Sequence, residues 1–301
     1  MKLQAWAVSI TPFDAAGALD VPALRAHFAR LRAAGIGVYV GSSNAGEGFT
    51  LSDAERDTLF GVAAEELKGR VPVRAGGCEP QSVAAAQSYL RAAARAGLDA
   101  AHLFPLDTGH AGPPTPAEIE RYYAEVLASA DLPLVVSNYP AMGYTLAPEL
   151  VARLLARHPQ IVAVRDAGGD TGYLRQLVAL CAGRAAVYTG GIRNLAAALF
   201  HGSQGFLSAE ANLAPALAVE VMQAFADGDL PRLRQAHERL WRLHQFVNRF
   251  GGSAGRGIKP LLAQLGLPGG SLRSPRIALD TGEQAAMRAA WQALALAPDS
   301  L

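Results

Sequence analysis

Cysteine, lysine and long apolar runs are scarce in this chain of 301 residues. The two cysteines, Cys78 and Cys181, are far apart and in no metal-ligand spacing. That excludes a disulfide framework and predicts a reduced, cytoplasmic protein. Among 27 basic residues only Lys2, Lys68 and Lys259 are lysines, so amine chemistry has few places to occur. The opening "MKLQAWAVSITPFD" holds no apolar stretch long enough for a signal peptide or a membrane span. A formal net charge of +1 gives no footprint for nucleic acid or an acidic surface. No Gly-x-Gly-x-x-Gly follows the first apolar run, which argues against a dinucleotide-binding fold. Repeats and low-complexity tracts are absent too, and nothing calls for a cofactor or a metal.

What is present is an alternation. Short β-rich runs stand at "WAVSIT" (6–11), "GVYV" (37–40), "VPVRA" (71–75), "AAHLF" (100–104), "LPLVVS" (132–137), "IVAVR" (161–165), "AVYTG" (186–190) and "GFLS" (205–208). Between them apolar residues recur at helical spacing, as in Leu24, Phe28 and Leu31. Asp53 and Thr115 are placed as helix N-caps, the second with a capping-box Glu118, and Gly35, Gly69 and Gly97 mark helix ends. Eight strand–helix units predict an α/β fold, a (β/α)8 TIM barrel over 1–229, with a doubly wound open sheet as runner-up. Residues 230–301 read as a helical region packed on the barrel. Leu230, Leu233, His237, Leu240, Trp241, His244 and Val247 would share one helix face there.

Working residues of such barrels stand at the C-terminal strand ends. Those ends gather small and polar residues: Ser42 and Ser43, Glu79, Asp107, Ser137 and Asn138, Arg165, Gly190, Glu210. The collection is that of a ligand pocket.

Several of these rims together resemble the dihydrodipicolinate synthase / N-acetylneuraminate lyase family of pyruvate-dependent aldolases. "GSSNAGEGFTLSDAER" is similar to its Gly-Thr-Thr-Gly-Glu signature, "SNYP" to its Tyr-Asn-x-Pro, and "IVAVRDAGGD" to its Ile-Val-Gly-Ile-Lys-Asp-Ser-Ser-Gly-Asp without a gap. "GRVPVRAGG", "AARAGLDAAHLFP", "HGSQGFLSAEANLAP" and "IKPLLAQLGL" extend the likeness over nearly the whole chain. The resemblance implies the barrel, a small oxo acid as ligand, and a dimer or a dimer-based homotetramer.

The catalytic set departs from that pattern. Where the family carries its imine-forming lysine, this sequence has Arg165, whose delocalised, permanently protonated guanidinium cannot be a nucleophilic amine. The position of the family's relay tyrosine is Ser137, its aromatic pair after strand four is Leu106-Asp107, and its carboxylate-binding arginine has no counterpart near Met142. Asn44 and Ala45 look like an insertion in the second rim. None of the three lysines belongs to a strand end, and Tyr139, two residues past Ser137, is a candidate for a displaced partner.

Arg165 then reads in two ways. It is a clamp for a carboxylate or phosphate, or it is a plug, paired internally with Asp166 or Glu210. On the first reading the protein is a divergent lyase or synthase acting on a small oxo acid without an imine. Arg165, Ser42 and Ser43 would stabilise an enolate, Glu47, Asp107 or Glu210 would move the proton, and Tyr139 would join them. Ser137, Asn138 and Gly190 would help to hold the substrate. On the second it is a non-catalytic binding protein or pseudoenzyme. His102, Asp107 and His110 with Glu79 or Glu210 lack metal-ligand spacing. His237 and His244 read as packing residues, Cys78 as a poor nucleophile, and the glycine pairs 168–169 and 190–191 as tight turns or a phosphate cradle.

Overall fold

The computed structural model describes residues 3–251 and 254–296. Eight parallel strands close into a barrel in chain order: β1 (Gln4–Val8), β2 (Gly37–Val40), β3 (Val73–Ala75), β4 (Ala100–Leu103), β5 (Leu134–Asn138), β6 (Ile161–Asp166), β7 (Ala186–Gly190) and β8 (Gly205–Ser208), with β8 pairing back on β1. The open-sheet alternative is thereby excluded. Outside run α1 (Val21–Ala33), α2 (Asp53–Leu67), α3 (Val83–Arg95), α4 (Pro116–Leu127), α5 (Pro148–Arg157), α6 (Thr171–Cys181), α7 (Leu195–Phe200) and α8 (Pro215–Ala226). No helix among the described residues is long and apolar enough to cross a membrane.

The apolar runs are continuous because both strand faces are covered. Outward residues such as Val38, Val73, Leu134 and Val164 pack under the helices, while Trp6, Tyr39, Val135, Ala163, Ala186, Tyr188 and Leu207 fill the lumen. Gly37 is obligatory there, since a Cβ would lie 2.6 Å from the Trp6 ring. One lumen residue has no apolar rationale: Arg74 on β3 stacks its guanidinium 4.1 Å from the Trp6 ring centroid and donates to the Tyr39 hydroxyl at 3.0 Å. Sequence reading passed over it inside "VPVRA".

Helix ends follow local chemistry. Thr115 and Glu118 form the expected capping box on α4, and Gly35, Gly69 and Gly97 take positive φ just past their helices. The cap of α2 is corrected: Ser52, with Glu55 three residues on, makes the box, and Asp53 is the first helical residue. β1 ends at Val8, short of the expected Thr11, because Ile10 N–H turns to the Asn212 side chain at 2.9 Å.

The tail holds α9 (Leu230–Arg249), α10 (Ala254–Gln264) and α11 (Thr281–Leu294), with Asp229 capping α9. The buried stripe of α9 is Leu233, Ala236, Leu240, Leu243, Phe246 and Val247. Leu230, the first residue of the helix, is exposed and lies outside that stripe. Arg276 and Arg273 also belong to this tail, and Arg273 ties it to α2 through Glu55 at 2.5 Å.

Candidate active site

A cavity of about 310 Å³ opens at the C-terminal strand ends, beneath α9. Its wall is formed by Tyr39, Ser42, Ser43, Glu79, His102, Phe104, Tyr139, Arg165, Gly190 and Glu210 from the barrel, and by His244, Val247 and Asn248 from α9. A larger groove of about 770 Å³ runs along the solvent face of α9, lined by Leu230, Arg234, Glu238 and Arg242. It lies on one helix, away from the strand ends, and gathers no convergent polar set.

Strand register places Arg165 between Ser137 on β5 and Tyr188 on β7, with its side chain in the barrel mouth. Gly190 makes room for it: a Cβ there would lie 3.0 Å from Arg165 Nη2. Nη1 donates to Ser137 Oγ at 3.4 Å, a long bond, and the guanidinium carbon is 5.4 Å from the Tyr139 ring centroid and 5.8 Å from that of Phe104. Nε has no partner. Among the described residues no carboxylate is within ion-pair distance of Arg165. Burial pulls its pKa below the ordinary value, but an arginine starts so high that it keeps its charge.

The plug reading fails on this geometry. Asp166 points out of the mouth and accepts from Asn138 Nδ2 at 2.7 Å and Gly168 N–H at 3.1 Å. Glu210 accepts from Ser208 Oγ and from His244 Nδ1, both at 2.7 Å. Burial would raise the Glu210 pKa, yet these two donors outweigh it and hold the carboxyl below its usual range.

His102 supplies an opposite group. Its ring stacks on Tyr39 with centroids 4.5 Å apart, and Nδ1 lies 3.2 Å from the Gly76 carbonyl oxygen. A carbonyl only accepts, so Nδ1 carries the proton and Nε2 a bare lone pair. That Nε2 is buried and has no partner. Burial, with Arg165 nearby, pushes the imidazole pKa well below normal, so the ring is neutral. Ser42 Oγ is a third buried group without a partner. A donor, an acceptor and a hydroxyl thus line one cavity unsatisfied, which is how a polar ligand site looks when read from its wall.

Four expected site residues are corrected. Glu47 is fully buried outside the cavity, bonded to Lys259 Nζ at 2.5 Å, in a left-handed turn that opens a short helical stretch. It cannot reach a substrate. Asp107 caps its own loop through Gly109 N–H at 2.8 Å and does not line the cavity. Asn138 is consumed by Asp166 and by Leu146 N–H at 3.0 Å, tying β5 to β6 and to the following loop. Ser137 lies under Arg165, fully buried, and supports the guanidinium rather than a ligand. Ser42, Ser43, Tyr139, Arg165, Gly190 and Glu210 do converge on the cavity. Ser43 Oγ bonds the Glu79 carboxylate.

His244 and Asn248 were missed as site residues. On a helix with apolar residues at helical spacing, His244 reads as packing, and no local signal separates it from His237. Cys78 is no nucleophile, since burial pushes its thiol to about 11. No three His, Cys, Asp or Glu among the described residues group closely enough for a metal. Lys68 donates to Gly97 O on the surface, Lys259 is in its core pair, and Lys2 lies outside the described residues.

Residues 3–294 match the Dihydrodipicolinate synthetase family. This chain belongs to that family. It is 32% identical over 270 residues to a 4-hydroxy-tetrahydrodipicolinate synthase of Methanospirillum hungatei, covering 88% of this chain and 90% of the relative. It is 33% identical over 289 residues to the synthase of Xanthomonas axonopodis pv. citri, covering 95% and 93%. Among solved structures, a prophage protein of the dihydrodipicolinic acid synthase family from E. coli K12, in complex with pyruvate, superposes with a TM-score of 0.88 at 26% identity over 98% of this chain and 99% of that one. Dihydrodipicolinate synthase from Bacillus anthracis gives 0.88 at 25%, over 97% and 98%. In this member of the dihydrodipicolinate synthetase family, β6 presents a guanidinium to the cavity, and no lysine among the described residues lines it.

Proposed function

We propose that the protein is a lyase or synthase that acts on a small, pyruvate-like oxo acid without forming an imine, gripping the substrate carboxylate with Arg165. The observation that carries this reading is the half-buried guanidinium with no carboxylate partner, in a cavity at the strand ends of a barrel whose relatives are synthases. A planar fork of donors matches a carboxylate, and charge-assisted bonds to it are roughly twice as strong as neutral ones. Arg165 and Ser42 would also gather the negative charge that develops on the oxo oxygen when C3 loses a proton or a carbon substituent. Tyr139 and Phe104 close the sides of the guanidinium, and Glu79, through Ser43, orders the rim. The same reading makes the protein a cytoplasmic homo-oligomer. Phe200 on α7 stands exposed beside Phe225 of α8, at 6.2 Å between ring centroids, as part of the surface available for self-association.

Calorimetry with pyruvate, followed by sodium borohydride and intact-mass spectrometry on the same sample, tests both halves. Binding with an unchanged mass is expected. A reduced adduct would place an imine on Lys259 or Lys68, and absence of binding by pyruvate and oxaloacetate would remove the clamp.

A further inference from the structure

We infer that His244, held by Glu210, is the proton-transfer residue of this cavity. The inference rests on Arg165 as the carboxylate clamp. The pair joins two parts of the chain that are far apart in sequence: Glu210 follows β8, and His244 stands in the C-terminal half of α9, which closes over the mouth. Both line the cavity.

The hydrogen-bond directions fix the tautomer. Ser208 Oγ donates to Glu210 Oε2 at 2.7 Å, and His244 Nδ1 is 2.7 Å from Oε1. An ionised carboxylate only accepts, so Nδ1 carries the proton. Asn248 Nδ2, a donor, lies 2.9 Å from Nε2, which therefore has its lone pair free to accept. The same amide nitrogen is 3.0 Å from the His244 carbonyl oxygen. It can leave Nε2 and keep that second bond, exposing a base whose far side is braced by a carboxylate. This is the arrangement that lets an imidazole take a proton and bear the charge.

The other candidates are engaged elsewhere or too weak. Glu79 accepts from Ser43, Glu47 is locked with Lys259, and Asp107 is outside the cavity. His102 is a poor base, because burial and Arg165 both oppose its charging. Its role is to accept a bond from a hydroxyl. In the step assigned here, Nε2 removes a proton from C3 of the bound oxo acid, and the C–H electron pair moves into the C2–C3 bond. The carbonyl pair moves onto the C2 oxygen, against Arg165 and Ser42. The enolate carbon then takes the proton back from His244, or bonds to a carbon electrophile whose oxygen receives it. His244 ends neutral in both cases.

Deuterium exchange tests this without knowledge of the second substrate. Wild type in D2O with pyruvate should replace the C3 methyl protons, followed by proton NMR, while calorimetry gives the affinity. His244→Gln keeps a donor for Glu210, so the fold is retained. It should slow exchange by about a hundredfold or more with affinity little changed. Glu210→Gln, which acts through His244, should lower the maximal rate about tenfold and leave half-saturation unchanged. His244→Ala should regain exchange as free imidazole is added, which a purely structural histidine would not show. Exchange by His244→Gln at the wild-type rate, or pyruvate binding to wild type with no exchange, overturns the assignment and leaves the clamp intact. Failure of wild type to bind oxo acids at all removes the clamp and the base together.

Discussion

Two cations are drawn into this molecule on opposite terms, Lys259 fully buried and Arg165 half-buried. Lys259 and its partner Glu47 are both wholly inaccessible, with Nζ 2.5 Å from Oε1, 3.0 Å from the Ser271 carbonyl oxygen and 4.2 Å from the Phe13 ring centroid. Arg165 has one long hydrogen bond, two aromatic neighbours and a cavity in front of it. An unpaired charge taken out of water is costly, so a folded chain either supplies the counter-charge or keeps an opening where one can enter. The first solution fastens the tail to the barrel. The second makes a binding site.

Removing each cation should therefore have opposite consequences. Lys259→Met leaves the buried Glu47 carboxylate with Arg276, 3.7 Å from Oε2, as a more distant counter-charge and should destabilise the fold by up to about 3–5 kcal/mol, read by chemical denaturation. Adding Glu47→Gln should recover part of that loss. Arg165→Met should leave stability within about 1 kcal/mol of wild type or raise it, since a desolvated charge without a counter-ion is replaced by an apolar chain of similar length. A loss as large as that of Lys259→Met would erase the contrast and mean that Arg165 has a partner after all.

His102→Leu sharpens the same contrast at a neutral group. The exchange removes an unsatisfied buried acceptor but also the Nδ1–H bond to the Gly76 carbonyl, so the two effects offset and stability should stay within about 1 kcal/mol of wild type. A loss of about 3 kcal/mol or more, beyond what one hydrogen bond to Gly76 accounts for, would contradict an unsatisfied Nε2.

The smallest effect belongs to the exposed side of the tail. Glu55 sits at about 2, held down by the hydrogen bond from Arg273. Its folded pKa is below its unfolded value of about 4.5. The stabilisation is therefore complete above pH 4.5 and is lost as pH falls toward 2. Glu55→Gln should flatten that part of the stability–pH curve, by on the order of 1 kcal/mol for a partly solvated pair. An unchanged acid limb would contradict it.

The barrel was legible because its determinants are local and repeated. "GVYV", "AVYTG" and "GFLS" are bounded as read, and Thr115–Glu118 caps as read. The rim was legible only as a set of strand ends. Which side chain turns inward depends on register and on partners distant in sequence: Glu47 is taken by Lys259, 212 residues away, and Glu210 is joined by His244, 34 residues away. Asn138 is lost to Asp166 because β5 and β6 pair them side by side. Arg74 shows the same limit, since the pairing of β1, β2 and β3 sets it against Trp6 and Tyr39, and closure of the barrel adds Tyr188 of β7 at 5.6 Å.

The clamp itself is tested most directly by thermal scans of wild type and Arg165→Ala, each with and without pyruvate or oxaloacetate. At 100 times its dissociation constant a ligand of the folded state contributes about 2.7 kcal/mol. For a chain of this size that is a shift of several degrees. The account predicts that shift in wild type and none in Arg165→Ala, whose own melting temperature stays close to that of wild type. A wild type unmoved by either oxo acid, or a shift that survives in Arg165→Ala, would contradict it.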